Sequence, residues 1–243
     1  MSSNEFLALI ATYIDRDIPV NVYLTDLADG FLIKENRGGN TYANGFLHSF
    51  SDQPALISSF GTREWYAYGK IHRYNDQPAV IRSCGTQEWY KQDLLHRDND
   101  QPAVIEPDGT REWYQNGKRH RDNDQPATIY PGGLQYWIQD GKLHRDRDKP
   151  AIIYPSGRKE WYKFGKVHRD GDKPAMVWGK TRRWWKHGKL HRDGGKPAVI
   201  SYDAGPMNGT REWWKDGRLH RDGGHPPVIH SDGRQDDMSM GMI

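Results

Sequence analysis

Residues 110–118 read TREWYQNGK and residues 119–129 read RHRDNDQPATI. Asn116-Gly117 is the dipeptide a two-residue type I′ hairpin turn demands, because both central positions need positive φ. Trp113 and Tyr114 before it favour a strand, and residues 118–121 after it read as the partner strand. Upstream, Pro102 to Ile105 reads as a second strand, and Pro107-Asp108-Gly109 as the turn into Arg111–Tyr114. The run Arg97-Asp98-Asn99-Asp100-Gln101-Pro102 reads as a kink, since proline lacks a ladder donor and Asp and Asn favour local turns. The unit predicts a short Trp strand, a tight turn and a longer strand bent at the proline.

That unit recurs. His48, His72, His96, His120, His144 and His168 lie 24 residues apart, and His191 and His220 follow after a one-residue deletion and a five-residue insertion. A proline stands six residues after each, from Pro54 to Pro226. Trp65, Trp89, Trp113, Trp137, Trp161, Trp184 and Trp213 open the segments before the glycine turns. Three residue types in one register define a tandem array. With two strands per unit, the expected fold is all-β: an elongated antiparallel β-meander of about eight units over residues 41–235.

The ends differ, as the ends of repeat arrays do. Residues 1–40 are expected to form a cap. Ser2 and Glu5 fit a capping box, Phe6, Leu9, Ile10 and Tyr13 follow helical spacing, and Val20, Val22 and Leu24 alternate as a strand would. The helix either covers the first sheet edge or serves as a partner-binding or dimerising element. Residues 236–243 read as a flexible tail.

Composition agrees with an unusual core. Leu, Ile, Val and Phe make up 42 of 243 residues, too few for a thick aliphatic core, yet 29 residues are Trp, Tyr or Phe and the charges nearly cancel, 35 against 32. The aromatic count argues for a folded chain built around rings. One cysteine, Cys84, rules out an intrachain disulfide. No apolar run reaches the ~20 residues of a membrane span, so a transmembrane protein is not expected. The N-terminus lacks a basic region before its short apolar stretch, so secretion by a signal peptide is not expected either.

The repeated polar motifs imitate several chemistries and fit none. Equivalent residues of neighbouring units should lie about 9.6 Å apart, twice the strand spacing. A zinc ion needs ligands at ~2.0–2.1 Å, so adjacent His residues cannot chelate together and are expected to form a structural ladder. His-Arg-Asp at 96–98, 120–122, 144–146, 168–170, 191–193 and 220–222 imitates a protein-kinase catalytic loop, but the Asn such a loop needs five residues on is Ala103 in the first of these. Asp98-Asn99-Asp100 suggests calcium, but position twelve of that loop is Gly109, where an EF-hand needs Glu. Cys84 stands where other units carry Asp108, Ser156 or Asp232, and reads as a turn residue rather than a nucleophile. No enzyme and no cofactor are expected.

The aromatics have two candidate uses. Successive strand residues face opposite sides, so Trp113 and Tyr114 place rings on both faces. One face can pack as a Trp ladder with Ile81, Ile105, Ile129, Ile153 and Ile200 filling between rings; the other is exposed, covered by coiling of the sheet, or buried in a second subunit. Residues 166–197 carry ten basic groups against Asp170, Asp172 and Asp193. Within them Lys180, Arg182, Arg183, Trp185, Lys186 and Lys189 are candidates for binding an anion, whether lipid headgroup, nucleic acid or acidic protein.

The pattern EWYQNGKRH (112–120), with PDGT (107–110) before it, resembles MORN repeats, and most closely the divergent variant found in long arrays in giant DNA viruses. The likeness covers about residues 41–235; it departs at the HRDxDxPA block, where the usual unit has glycines. The resemblance implies a rod-like β array used for binding or scaffolding, sometimes as a homodimer, with lipid contact in some relatives. It also implies a viral protein in the host-cell cytoplasm or the virion. The expected function is a non-enzymatic scaffold for protein–protein interaction, with an adaptor for anionic lipid or nucleic acid as the alternative.

Overall fold

The computed structural model describes residues 21–27, 30–37, 39–202 and 209–236. Two compact units divide the chain: Met1–Pro107 with Tyr114–Gly117, and Asp108–Trp113 with Lys118–Ile243. The described residues are nearly all β. They form a 16-stranded antiparallel sheet whose strands follow chain order, a four-stranded sheet, and seven separate two-stranded hairpins.

Each repeat supplies four short strands rather than the expected two. In the second unit, Thr128–Ile129 and Gln135–Tyr136 pair within the long sheet, and Ile138–Gln139 and Lys142–Leu143 form a hairpin beside it. Trp137 lies in neither pair. Its N–H donates to Ala151 O at 2.8 Å, in the sheet, and its carbonyl accepts from His144 N at 3.0 Å, in the hairpin. The expected Trp strand is therefore a corner. The backbone groups of one residue serve two different ladders, and the chain must bend between them.

Both kinds of turn follow the residue chemistry. Asn116 and Gly117 hold φ of 49° and 78°, the left-handed pair a type I′ turn requires. The expected kink is a second such turn: Asn99 and Asp100 hold φ of 59° and 55°, and Gln101 N donates to Asp98 O at 3.3 Å. The deletion and the insertion both fall in the remaining connection, between paired sheet strands. The first shortens the link between Met176–Trp178 and Thr181–Arg183, and the second lengthens the link between Val199–Ser201 and Thr210–Glu212. Hairpins and His-Arg-Asp blocks stay in step across both.

At the N-terminal end β1 (Asn21–Leu27) pairs along its whole length with β2 (Gly30–Arg37), β2 with β3 (Asn40–Ala43), and β3 with β4 (Phe46–Leu47). The strand expected through Val22 and Leu24 is thus one arm of a long hairpin. Thr41 takes the place of Trp in the first repeat: its N–H donates to Ala55 O and its carbonyl accepts from His48 N, each at 2.9 Å. The helix expected from Ser2 lies outside the described residues, as do Val20 and the tail expected over 236–243, apart from Asp236, which pairs with Val228.

The core is as thin as the composition requires. Trp65, Trp89, Trp113, Trp137, Trp161, Trp184 and Trp213 are buried, and Ala55, Ala79, Ala103, Ala127, Ala151, Ala175 and Ala198 are wholly so. In the second unit Ala127, Ala151, Ala175 and Ala198 each donate N–H to the next sheet strand. In the last repeat the position is Pro227, which accepts from Trp213 N but has no N–H to offer, so the ladder weakens there.

Candidate interaction surface

The sheet has one buried and one open column, because directly opposed residues share a face. On the covered face, Val80, Glu88 and Val104 are opposed in the first unit, and Ile152 and Glu160 in the second, all buried. The buried carboxylates are matched: Glu88 pairs with Arg82 and accepts from Tyr90 Oη at 3.0 Å, and Glu160 pairs with Arg158 at 2.5 Å and accepts from Tyr162 Oη at 3.0 Å. Burial, reinforced by Glu88, pushes the Tyr90 phenol up to about 12. On the open face Ile153 stands between Gln135 and Lys159, and Ile200 between Arg182 and Arg211, half-buried rather than packed away.

The repeated Trp, Arg and Asp form a brace from one repeat to the next. In the first unit the Arg97 guanidinium lies 3.9 Å from the Trp89 ring centroid and grips both Asp76 carboxylate oxygens at 2.8 Å. Trp89 Nε1 donates to the Asp76 carbonyl at 3.0 Å, and Arg97 Nη1 donates to Pro102 O at 3.2 Å. The left-handed Asp76, with φ of 53°, presents its carbonyl to the indole while its carboxylate faces the arginine. In the second unit Arg145 and Arg169 repeat this on Asp124 and Asp148, joined there by Lys149 and Lys173. These partners hold Asp124 and Asp148 at about 2, the arginine hydrogen bond being the largest cause. Isoleucines were expected to fill between successive Trp rings; an arginine guanidinium lies over each ring.

Each of several histidines links its own repeat to the next. His96 Nε2 meets Asp98 Oδ1 at 2.9 Å, and its Nδ1 accepts from Asn116 N at 3.1 Å. A backbone N–H can only donate, so Nδ1 is the bare nitrogen and Nε2 carries the proton. His120 and His191 make the same pair of bonds, to Asp122 with Asp140 N and to Asp193 with Asp216 N. His144, His168 and His220 keep the Asp contact. His72 departs: Tyr74 replaces the Asp, its ring edge-on at 4.5 Å, and burial lowers the imidazole. Among the described residues no group of three or more His, Cys, Asp or Glu could hold a metal ion.

Clefts of about 360 to 430 Å³ open beside Trp137, Trp161 and Trp184, each lined by the same His, Arg and Asp positions. They belong to the repeat. One departs in detail: beside Gly171, whose turn differs from its counterparts, Trp184 Nε1 lacks the carbonyl that Trp161 Nε1 finds on Asp148 at 3.0 Å.

The residues predicted to bind an anion are divided between two elements. Arg182 and Arg183 lie on the long sheet and Lys180 in its turn, whereas Trp185, Lys186 and Lys189 lie on the hairpin Trp185–Lys186/Lys189–Leu190. Arg182 Nη1 donates to the carbonyls of Gly179 and Thr181 at 2.6 and 2.9 Å, and Lys186 binds Asp193 at 3.0 Å. Cys84 is exposed in its turn, 3.2 Å from Thr86 Oγ1.

Sequence reasoning missed the hairpin tips. The first turn position carries Asn44, Tyr68, Gln92, Asn116, Asp140, Phe164, His187 and Asp216, all with φ between 47° and 53°. Tyr68 and Phe164 are more than half exposed there. Their rings lean on the preceding histidine, Phe164 stacking on His144 at 4.2 Å and Tyr68 tilted against His48 at 4.5 Å. The signal was legible: an aromatic stands where Asn is the natural occupant. No protein-family model matches this chain, and no curated protein matches it.

Proposed function

We propose that the protein is a non-enzymatic repeat scaffold that binds other proteins through its hairpin tips. The observation that carries this reading is the pair Tyr68 and Phe164. Bulky side chains are disfavoured at φ near +50°, yet here they are exposed as well, with φ of 49° and 48°. A turn selected for folding alone would carry Asn or Gly. The repeated Trp, Arg, Asp and His brace the repeats, while the tip residue changes from one copy to the next, the division of labour a repeat binding surface uses. Phe46, Phe60 and Tyr74 add exposed rings to the first unit and suit self-association as a homodimer. The resemblance to MORN-variant arrays supports a role in the host-cell cytoplasm or the virion of a large DNA virus.

The test is capture of partners by the tagged full chain from host-cell lysate, with and without nuclease. It compares wild type with Tyr68→Asn/Phe164→Asn and with charge reversal at Lys180, Arg182 and Arg183. The scaffold reading expects protein partners that survive nuclease and are lost with the two rings. Partners lost on nuclease treatment and on charge reversal would replace it with a nucleic-acid adaptor. Partners kept by all variants would remove the tips from the reading.

A further inference from the structure

The last three hairpins break a rule that the earlier ones keep. Directly opposed residues are Lys163 and Lys166, then Lys186 and Lys189, then Lys215 and Arg218. Like charges facing each other destabilise a strand pair. At the same positions earlier hairpins oppose Ala67 to Lys70, Lys91 to Leu94 and Gln139 to Lys142.

Half of each pair is neutralised internally. Lys163, Lys186 and Lys215 reach Asp170, Asp193 and Asp222 at 3.1, 3.0 and 3.5 Å. Lys166, Lys189 and Arg218 are exposed and, among the described residues, their side chains make no ion pair or hydrogen bond. The three hairpins are joined in a row: Gly188 N donates to Val167 O, and Gly217 N to Leu190 O, each at 2.9 Å. The insertion before Thr210 leaves this row in register, so one uncompensated cation stands per repeat.

We propose that Lys166, Lys189 and Arg218 dock an extended acidic segment of a partner protein, one carboxylate per repeat. The proposal rests on the protein-binding reading and names the partner's chemistry. The spacing favours it. Two sheet strands per repeat set a pitch of about 9.6 Å. A polyproline II segment advances about 9.3 Å per turn of three residues, so acidic residues at every third position fall on one side in step with the cations. A polynucleotide fits less well. Duplex DNA carries a charge about every 1.7 Å, whereas this row offers one free cation per repeat.

The test uses the full chain and fluorescein-labelled peptides followed by anisotropy. One peptide is five repeats of Glu-Pro-Pro; the other has the same composition with its glutamates contiguous. The periodic peptide is expected to bind about tenfold more tightly, and Lys166→Gln/Lys189→Gln/Arg218→Gln to lose about that factor. Lys70→Gln should bind as wild type. The triple variant should melt no lower than wild type, because it relieves the opposed charges, which separates lost binding from lost folding. Equal affinity for the two peptides, or undiminished binding by the triple variant, would overturn the proposal. So would tighter binding of a single-stranded oligonucleotide of equal charge through the same three residues. If neither peptide binds while nuclease-resistant partners are still captured through Tyr68 and Phe164, this inference fails and the scaffold reading stands.

Discussion

The guanidinium of Arg145 lies 3.8 Å from the ring centroid of Trp137 and at the same time grips Asp124, 21 residues back, through Nε and Nη2 at 2.6 and 3.3 Å. One side chain therefore covers the indole of its own repeat and ties it to the repeat before. A planar, forked cation is the group that can stack and bind a carboxylate with two nitrogens together.

Replacing Arg145 by Lys should accordingly be nearly as damaging as replacing it by Ala. Both lose the stack and the two-pronged ion pair, at a cost of about 1–2 kcal/mol. Urea unfolding of the two variants against wild type measures this. A lysine variant as stable as wild type would reduce the brace to a point charge.

The turn at Gly117 makes a second prediction. Its φ is 78°, and a Cβ there would stand 3.2 Å from Leu94 Cδ2. Asp93 holds φ of 69° at the equivalent place one repeat earlier. Gly117→Asp should therefore be mild and Gly117→Val should cost about 1–2 kcal/mol more. Thermal melts of both variants would show it; a Val variant melting no lower than Asp would contradict the type I′ turn.

Phe164 makes the opposite prediction. Its φ of 48° suits Asn far better than an exposed aromatic. Phe164→Asn should melt at or above wild type despite losing the stack on His144, while weakening capture of protein partners. A marked drop in melting temperature would make the ring a folding element.

Stability should fall in acid through Asp124 and Asp148. Their folded pKa is about 2, held there by Arg145 with Lys149 and by Arg169 with Lys173, against the ordinary aspartate value of 3.8. Between these values the unfolded chain takes up protons first, so the stabilisation is whole above about pH 4 and is lost as pH falls toward 2. Both carboxylates are more than a third exposed, so solvent screens the effect and keeps it modest. Unfolding followed across pH 2–5 should be steeper for wild type than for Asp124→Asn/Asp148→Asn. His72, lowered by burial, works in the same direction at higher pH: it favours the neutral ring, and its contribution declines as pH falls below the ordinary histidine value.

Tight packing makes a last prediction. Ala127 is fully buried and bonded on both sides, accepting from Trp113 N and donating to Tyr136 O at 2.9 and 2.8 Å. Ala127→Leu should cost about 1–3 kcal/mol by overpacking, read from urea denaturation. A neutral result would show that the sheet can part there.

Much of this fold was legible because its information is local. Asn116-Gly117 specifies its own turn, Asn99-Asp100 specifies another, and the 24-residue period lines up copies without reference to any distant contact. The sites were legible only in part. The register placed one His in each repeat, but nothing in the spacing of Arg145 said that it would cover Trp137 and reach Asp124. The basic run 166–197 gave no sign that Arg182 would turn to its own backbone while Lys189 stayed free, since a linear stretch of charge carries no face until the strands pair.

The sequence by itself determined the turns and the antiparallel repeat, because positive φ and strand alternation act over a few neighbours. Tertiary structure decided which face each charge occupies. Trp137, bonded to the sheet through its N–H and to the hairpin through its carbonyl, turns the chain at every repeat and sends successive residues to different layers. With its counterparts Trp161, Trp184 and Trp213 it leaves carboxylates such as Glu160 buried and Lys166, Lys189 and Arg218 facing solvent.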